Sequence, residues 1–305
     1  MITTNGPIDY VLYSDTDCGV NGIDSKRYDI KLMSIPISVN NKDYYPYKNS
    51  RFFDYNEFFD NLKKTSRVYT WKMTAEDYKQ SFRPFLKKGL DIIFVHFSHF
   101  GTNTFEYDLP RALGELKKEF PDRKISAIDS LSVAQGSLPI VLKAGKMRLA
   151  GSGFEEVEKY LKDNVGTRIA YFIPQNLSYL YKYGKVGGLS SFIGNAFGIK
   201  PILMVNTAGE MSVVSKFMGQ DMALSKKILM KMAKDGLPID GKIDIGYTDD
   251  KERGESFKSS FELMAKKMAI GPFKYDISRI NPQHSGIIGP GAVGLAYTIK
   301  RPKDE

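Results

Sequence analysis

Asp91-Ile92-Ile93-Phe94-Val95, followed by Ser98-His99-Phe100-Gly101-Thr102, reads as a buried strand that stops in a polar turn. An unbroken apolar run of this length leaves no side for solvent, as in a strand covered on both faces. The same form occurs twice more. Tyr10 to Ser14 ends in Asp15-Thr16-Asp17, and Ile125 to Ile128 ends in Asp129-Ser130. Between the last two strands Leu113, Leu116 and Phe120 recur at helical spacing. Strand, polar loop and helix in rotation predict a largely parallel sheet with crossover helices. Ligands of such sheets lie beyond the carboxyl ends of the strands, where all three turns fall.

Outward from this frame the pattern changes. Ile35 to Val39, Asn40-Asn41-Lys42 and Tyr44-Tyr45 predict a hairpin, followed by an amphipathic helix from Asp54 to Lys64. After Gly151 to Gly153 the acidic Glu155-Glu156 suits a helix N-terminus. A second α/β unit begins near Thr167, with strands at Arg168 to Ile173 and Ile202 to Val205 around a glycine-rich segment from Gly184 to Gly198. Phe257, Phe261, Met264, Ala265 and Met268 share one helical face and read as core. The expected fold is α/β with two α/β domains. Residues 1–155 form the first, with a hairpin-containing insertion near 35–80, and residues 156–305 form the second.

Composition narrows the function classes. The 305 residues, 42% apolar and 26% charged, are those of an ordinary globular chain. No apolar run approaches the roughly eighteen residues of a membrane span. Met1 to Asp9 lacks the basic and apolar regions of an export signal. A single cysteine, Cys18, excludes an internal disulfide and fits the cytoplasm. The net charge of +9 comes from scattered pairs such as Lys63-Lys64 and Lys226-Lys227, without a basic block carrying aromatics. That argues against nucleic acid as a partner and for a solvated surface, one suited to an acidic partner or a transient contact with an anionic membrane.

Candidate chemistry is sparse. His96 and His99, with Cys18, have metal-ligating side chains, but alternation on a strand turns the two histidines to opposite faces. No metal is expected. Ser14, Asp15, Asp129 and Ser130 lack a nucleophile elbow and read as turn and cap residues. Gly151-Ser152-Gly153 and the glycine-rich segment carry neither a dinucleotide fingerprint nor a Walker lysine, so no nucleotide cofactor is expected. In Pro282-Gln283-His284-Ser285-Gly286-Ile287-Ile288-Gly289-Pro290-Gly291-Ala292 the Gly-Pro-Gly offers backbone N–H groups to a ligand, or simply turns the chain.

Taken in order, these loops resemble the DegV family of bacterial fatty-acid-binding proteins. Asp15-Thr16 resembles the family's Asp-Ser turn, and Thr70 with Glu76-Asp77-Tyr78 resembles Thr-Ser-Gln-Pro leading into a helix. Gly101-Thr102 is similar to the end of Leu-Ser-Gly-Thr, and Ala127-Ile128-Asp129-Ser130 to Val-Ile-Asp-Ser. Leu177 to Tyr183, with Gly184-Lys185-Val186, resembles Leu-x-Tyr-Leu-x-x-Gly-Gly-Arg-Ile, with lysine for the arginine. Ile199-Lys200-Pro201-Ile202-Leu203 and Gly289-Pro290-Gly291-Ala292 complete the series.

The resemblance implies two domains meeting over an apolar tunnel that holds a long-chain fatty acid. The acid's carboxyl group would be held by the first threonine, the Leu-Ser-Gly-Thr serine and a histidine two residues before Gly-Pro-Gly. It also implies a separate fatty-acid kinase catalytic subunit, so that this chain carries substrate and is not itself an enzyme. Thr70 is kept, but Phe100 stands at the serine position and Ile287 at the histidine position. Ser98 and His284 are the nearby substitutes expected at the head group. Gly101, Thr102, Gly289 and Gly291 are expected to shape the backbone around it. The alternatives are a divergent member binding another small molecule, or an acyl- or phosphoryl-transfer enzyme using Asp15, Asp129 and Ser130.

Overall fold

In chain order the strands are β1 (Tyr10–Asp15), β2 (Lys31–Met33), β3 (Ile37–Val39), β4 (Lys42–Tyr44), β5 (Val68–Thr70), β6 (Asp91–His96), β7 (Ile125–Asp129), β8 (Arg168–Ile173), β9 (Lys200–Val205), β10 (Met211–Phe217), β11 (Lys242–Tyr247), β12 (Lys274–Arg279) and β13 (Val293–Thr298). The computed structural model describes residues 9–64, 67–100, 102, 104–183 and 200–301.

β1 is buried along its whole length, and alternation explains how. Tyr10 and Leu12 enter one core, beside Ile93 and Val95 of β6, while Val11 and Tyr13 enter another, beside Ile92 and Phe94. The sheet runs β2-β1-β6-β7 and every pair is parallel. Helices close both faces: Ala75–Leu86 and Leu109–Glu119 on one, Leu138–Leu149 and Phe154–Asn164 on the other. The parallel sheet and its crossover helices are as the apolar runs predict.

The division expected at 155/156 falls within the Phe154–Asn164 helix. Phe154, Val157 and Leu161 are buried with Tyr10 and Leu12, so this whole helix packs with the first sheet. The chain enters the second sheet only at Arg168.

The hairpin pairs Ile37 with Tyr44 and Val39 with Lys42. Asn40 and Asn41 both have positive φ, 55° and 63°, as a two-residue type I′ turn requires. β5 adds an antiparallel edge to β3. The Tyr55–Lys64 helix covers this small sheet with Phe58, Phe59 and Leu62.

The second sheet runs β10-β9-β8-β13-β11-β12, with only β11 and β12 parallel. Ile169, Tyr171 and Ile173 of β8 pack under the helices Asp221–Asp235 and Lys251–Lys267, in a core that includes Phe257 and Phe261. Ala170 and Phe172 point the other way, into a core shared with Ala134 and Ile288. One face of this sheet is therefore covered by helices, and the other looks toward the first sheet. Among the described residues no helix is long and apolar enough to cross a membrane.

Candidate functional site

Between the two large sheets and the hairpin sheet lies a cavity of about 1080 Å³, solvent at its mouth included. Its walls are mostly apolar: Phe172, Val205 and Met211 from the second sheet, and Phe97 and Phe105 beyond β6. Ile287 and Ile288 of the Pro282–Ile288 helix close another side. Trp71 and Phe100, 52% and 41% exposed, mark the mouth together with Lys72.

The turn after β1 sets one polar corner. Asp15 Oδ1 accepts N–H bonds from Asp17 (3.0 Å) and Cys18 (2.9 Å), and Oδ2 accepts one from Phe97 (2.9 Å). These bonds tie the end of β1 to the end of β6. Burial pushes the Asp15 carboxyl up to about 7, against the pull of those N–H groups. Asp17 is also fully buried and lines the cavity. Its Oδ1 accepts from Asn281 Nδ2 at 2.9 Å, and burial followed by the neighbouring Asp15 raises its pKa well above the carboxylate range.

Asn281 links this corner to His284, whose Nδ1 lies 2.9 Å from Asn281 Oδ1. With the Asn281 amide N–H given to Asp17, its Oδ1 must accept, which places the imidazole proton on Nδ1 and leaves Nε2 an acceptor. Burial lowers the His284 pKa to about 4, so the ring is neutral at pH 7. A carboxylic ligand meeting Nε2 would bring its own proton.

The unfolded chain protonates this histidine near its ordinary 6.5, while the folded chain resists until about 4, so stability is lost as pH falls through that window. His284→Leu should gain on the unsubstituted protein by on the order of 2 kcal/mol between pH 7 and pH 4.5, read from denaturation midpoints. Asp15 has the opposite sign, since its raised pKa costs stability as pH rises from about 4 to about 7. Both proteins keep it, and it drops out of the comparison. An unchanged difference across the window would mean that His284 charges freely in the folded state.

Of the residues expected at the site, Thr70, Ser98, Phe100, Thr102, His284 and Ile287 line the cavity. Thr70 ends β5, and the helix that follows is capped instead by Thr74, through a reciprocal pair with Asp77. Ser98 does not offer the proton expected of it. Its hydroxyl donates to Gly209 O at 2.7 Å and accepts from Phe100 N at 3.2 Å. Gly209 has φ +82°, and a Cβ there would stand 2.5 Å from Ser98 Oγ, so glycine is what allows this contact.

Gly289 and Gly291 are not among the lining residues. Gly289 N–H donates to Ser285 O and ends the Pro282–Ile288 helix; Gly291 N–H donates to Asp249 Oδ1 at 2.7 Å. A Cβ on Gly289 would meet the Tyr179 ring at 2.3 Å. The loop is a turn whose N–H groups are already used. Gly101 and the glycine-rich segment 184–198, with Lys185, lie outside the described residues.

The residues of the enzyme alternative are committed elsewhere. Asp129 accepts from Leu131 N and from His99, and Ser130 Oγ bonds Ser132 O and Ser137 Oγ. None of Ser14, Asp15, Asp129 and Ser130 lines the cavity. His96 is buried and stacked on Phe105, with centroids 3.9 Å apart, while His99 is exposed. Among the described residues no group of three His, Cys, Asp or Glu side chains gathers as a metal site. Sequence reading missed Asp17, Tyr78 and Gln283 as cavity residues. Asp17 was visible only as part of a polar turn, and Gln283 only as the neighbour of His284.

Comparison with known proteins agrees with this architecture. The model of the DegV family, described as an uncharacterised protein family, matches residues 12–300. A DegV domain-containing protein of Clostridium perfringens is 24% identical over 295 residues, covering 96% of this chain and 99% of that one. A DegV family protein from Eubacterium eligens, solved loaded with heptadecanoic acid, superposes with a TM-score of 0.75 at 20% identity, over 95% of this chain and all of that one. The Streptococcus pneumoniae fatty acid kinase B3 protein, solved with linoleic acid, gives 0.75 at 16% identity, over 96% of this chain and all of that one. At these identities the structural likeness is one of fold.

Proposed function

Because the chain belongs to the DegV family, we propose that it is a lipid-binding protein that encloses a long-chain fatty acid and presents the carboxyl group to a fatty-acid kinase. The observation that carries this reading is the mostly apolar cavity between the sheets, with Thr70 and His284 among its polar side chains. Each methylene moved from water into such walls contributes about 0.8 kcal/mol of gross transfer energy, so a long tail supplies most of the affinity. Association costs offset part of it. Two solved structures of the same fold carry fatty acids, and the pneumococcal one is named as part of a fatty acid kinase. Those names support a role as carrier, with catalysis left to the partner. The scattered lysines, and Lys72 at the mouth, suit a transient contact with an anionic membrane during loading.

A second reading, another small molecule in the same cavity, is favoured by the donors missing at Phe100 and Ile287. Organic extraction and native mass spectrometry of the purified protein decide between the two. One fatty acid per chain is expected. An empty protein that also refuses offered fatty acids would end the first reading. Thr70→Ala should weaken the binding of an offered long-chain acid by about tenfold, the loss of one hydrogen bond of about 1.5 kcal/mol. Unchanged affinity would remove Thr70 from the site.

A further inference from the structure

Exposed apolar side chains gather where the short helix Gly22–Tyr28 meets the loop from Tyr45 to Phe53. Ile23 is 56% exposed, Tyr45 46% and Phe52 61%. Gly22 lies against the Arg51 backbone, where an added Cβ would come within 2.5 Å, so Ile23 and Phe52 flank one point of contact. Tyr47 has φ 59°, rare for an aromatic residue. Its hydroxyl lies 2.9 Å from that of Tyr55, which holds its ring within the loop, while Tyr45 and Lys48 stay exposed. Single exposed apolar side chains are ordinary, but a group of them at one contact marks an interaction surface.

The same corner is cationic. Lys48 sits over the Tyr45 ring at 4.7 Å, and Arg51 over the Phe52 ring at 4.9 Å. Lys26 and Arg27 are exposed on the helix. Burial raises the Asp24 carboxyl, and Asn21, Arg27 and Lys146 pull against it, so Lys146 faces this corner too. None of these five cations forms an ion pair among the described residues. Elsewhere cations are answered: Lys79 by Glu115, Arg83 by Glu119 and Arg148 by Asp29. Against the five stands Asp24, whose Oδ2 already accepts from Asn21 Nδ2 at 2.7 Å.

We propose that this corner docks the protein on an anionic phospholipid bilayer. Ile23, Tyr45 and Phe52 enter the boundary between headgroups and acyl chains, and the cations beside them meet lipid phosphates. Lys48 and Arg51 already lie over the two rings, so ring and charge reach the surface together. A bilayer suits this corner better than a protein partner does. Projecting side chains need no matching pocket there, and lysine, three of the five cations, is depleted at protein interfaces. None of these residues lines the cavity. The surface gives the membrane contact a definite place, and it stands whatever ligand the cavity holds.

The test is flotation of the full chain with vesicles of phosphatidylglycerol and phosphatidylcholine in equal parts, and with phosphatidylcholine alone. Binding is expected to the first, weakening with added salt, and little to the second. Lys48→Glu with Arg51→Glu should weaken it by about thirtyfold, equivalent to about 2 kcal/mol. Ile23→Ser with Phe52→Ser leaves the charge alone and should weaken it by about tenfold. All four side chains are exposed, and an unchanged denaturation midpoint shows that the variants fold. Lys117→Glu with Lys118→Glu makes the same change of net charge on another helix and should cost no more than about twofold. No binding to anionic vesicles would overturn the docking surface. So would equal losses in the two charge variants, which would point to net charge alone, or binding untouched by the Ile23 and Phe52 substitutions. Substitutions that leave vesicles bound but abolish a one-to-one complex with an acidic protein would also overturn it, in favour of a protein partner. Native mass spectrometry of bound fatty acid reads the cavity separately, so either reading can fail without the other.

Discussion

Arg168→Met is expected to cost the fold about 3–5 kcal/mol, the penalty for stripping the partner from a buried carboxylate. Arg168 is 5% exposed and opens β8. Its guanidinium pairs with Asp244 of β11, donates to Thr298 Oγ1 at 2.8 Å and reaches Gln135 O at 3.3 Å. Gln135 belongs to the turn after β7, and its own amide donates to Ser278 Oγ and Arg279 O at 3.2 Å each. One side chain thus joins two strands of the second sheet to the seam with the first. Burial already pushes the Asp244 carboxyl up, and Arg168 is the main group holding it down. The measurement is the denaturation midpoint at unchanged slope. Adding Asp244→Leu should recover much of the loss, because an apolar pair of similar size needs no compensation. A loss below about 1 kcal/mol for the single variant would mean that water reaches Asp244 and that the pair is in effect a surface one.

Ile287→His should tighten the binding of a long-chain fatty acid by roughly tenfold to a hundredfold. It places an imidazole on the cavity wall at the position where the resemblance expects one. A charge-assisted hydrogen bond to a carboxylate contributes about 1.5–3 kcal/mol, and each 1.4 kcal/mol is a factor of ten. The present wall has little to offer instead. Ser98 has spent its proton on Gly209, and His284 holds its own toward Asn281. A gain in affinity for the acid, with none for the corresponding alcohol, would show that the acid end reaches this turn of the Pro282–Ile288 helix. No gain would mean that the ligand's polar end lies elsewhere, and the second reading would then take precedence.

Much of the fold was legible because burial on both faces leaves a plain mark. β1, β6 and β8 are unbroken apolar runs, and each is a strand at the place that its run predicts. The hairpin was legible from Asn40-Asn41, since few residues tolerate two successive positive φ angles. The edge was harder. The Phe154–Asn164 helix carries an acidic first turn after a glycine stretch, which resembles a new beginning, yet its apolar side packs back on the first sheet. A local signal marks where a helix starts and is silent about what it packs on.

The candidate site divides along the same line. Thr70, His284 and Ile287 came from order along the chain, and all three line the cavity. The features that order along the chain did not show depend on partners far away in sequence: Ser98 bonds Gly209, 111 residues on, and Asp17 bonds Asn281, 264 residues on. Gly289 and Gly291 have the backbone freedom that their type promised, and use it to end a helix beside Tyr179 and Asp249.

By itself the sequence marked β1, the β3–β4 hairpin, β6, β7, β8 and β9 as strands, and a period of two then sends alternate side chains of β8 to opposite sides. Only the tertiary structure decided that Ile169 and Tyr171 meet helices while Phe172 meets the cavity. It alone brought residues 17, 78 and 283 to the wall of one space. Alternation is a property of one strand, whereas a cavity is made by surfaces that the chain brings together only when it folds.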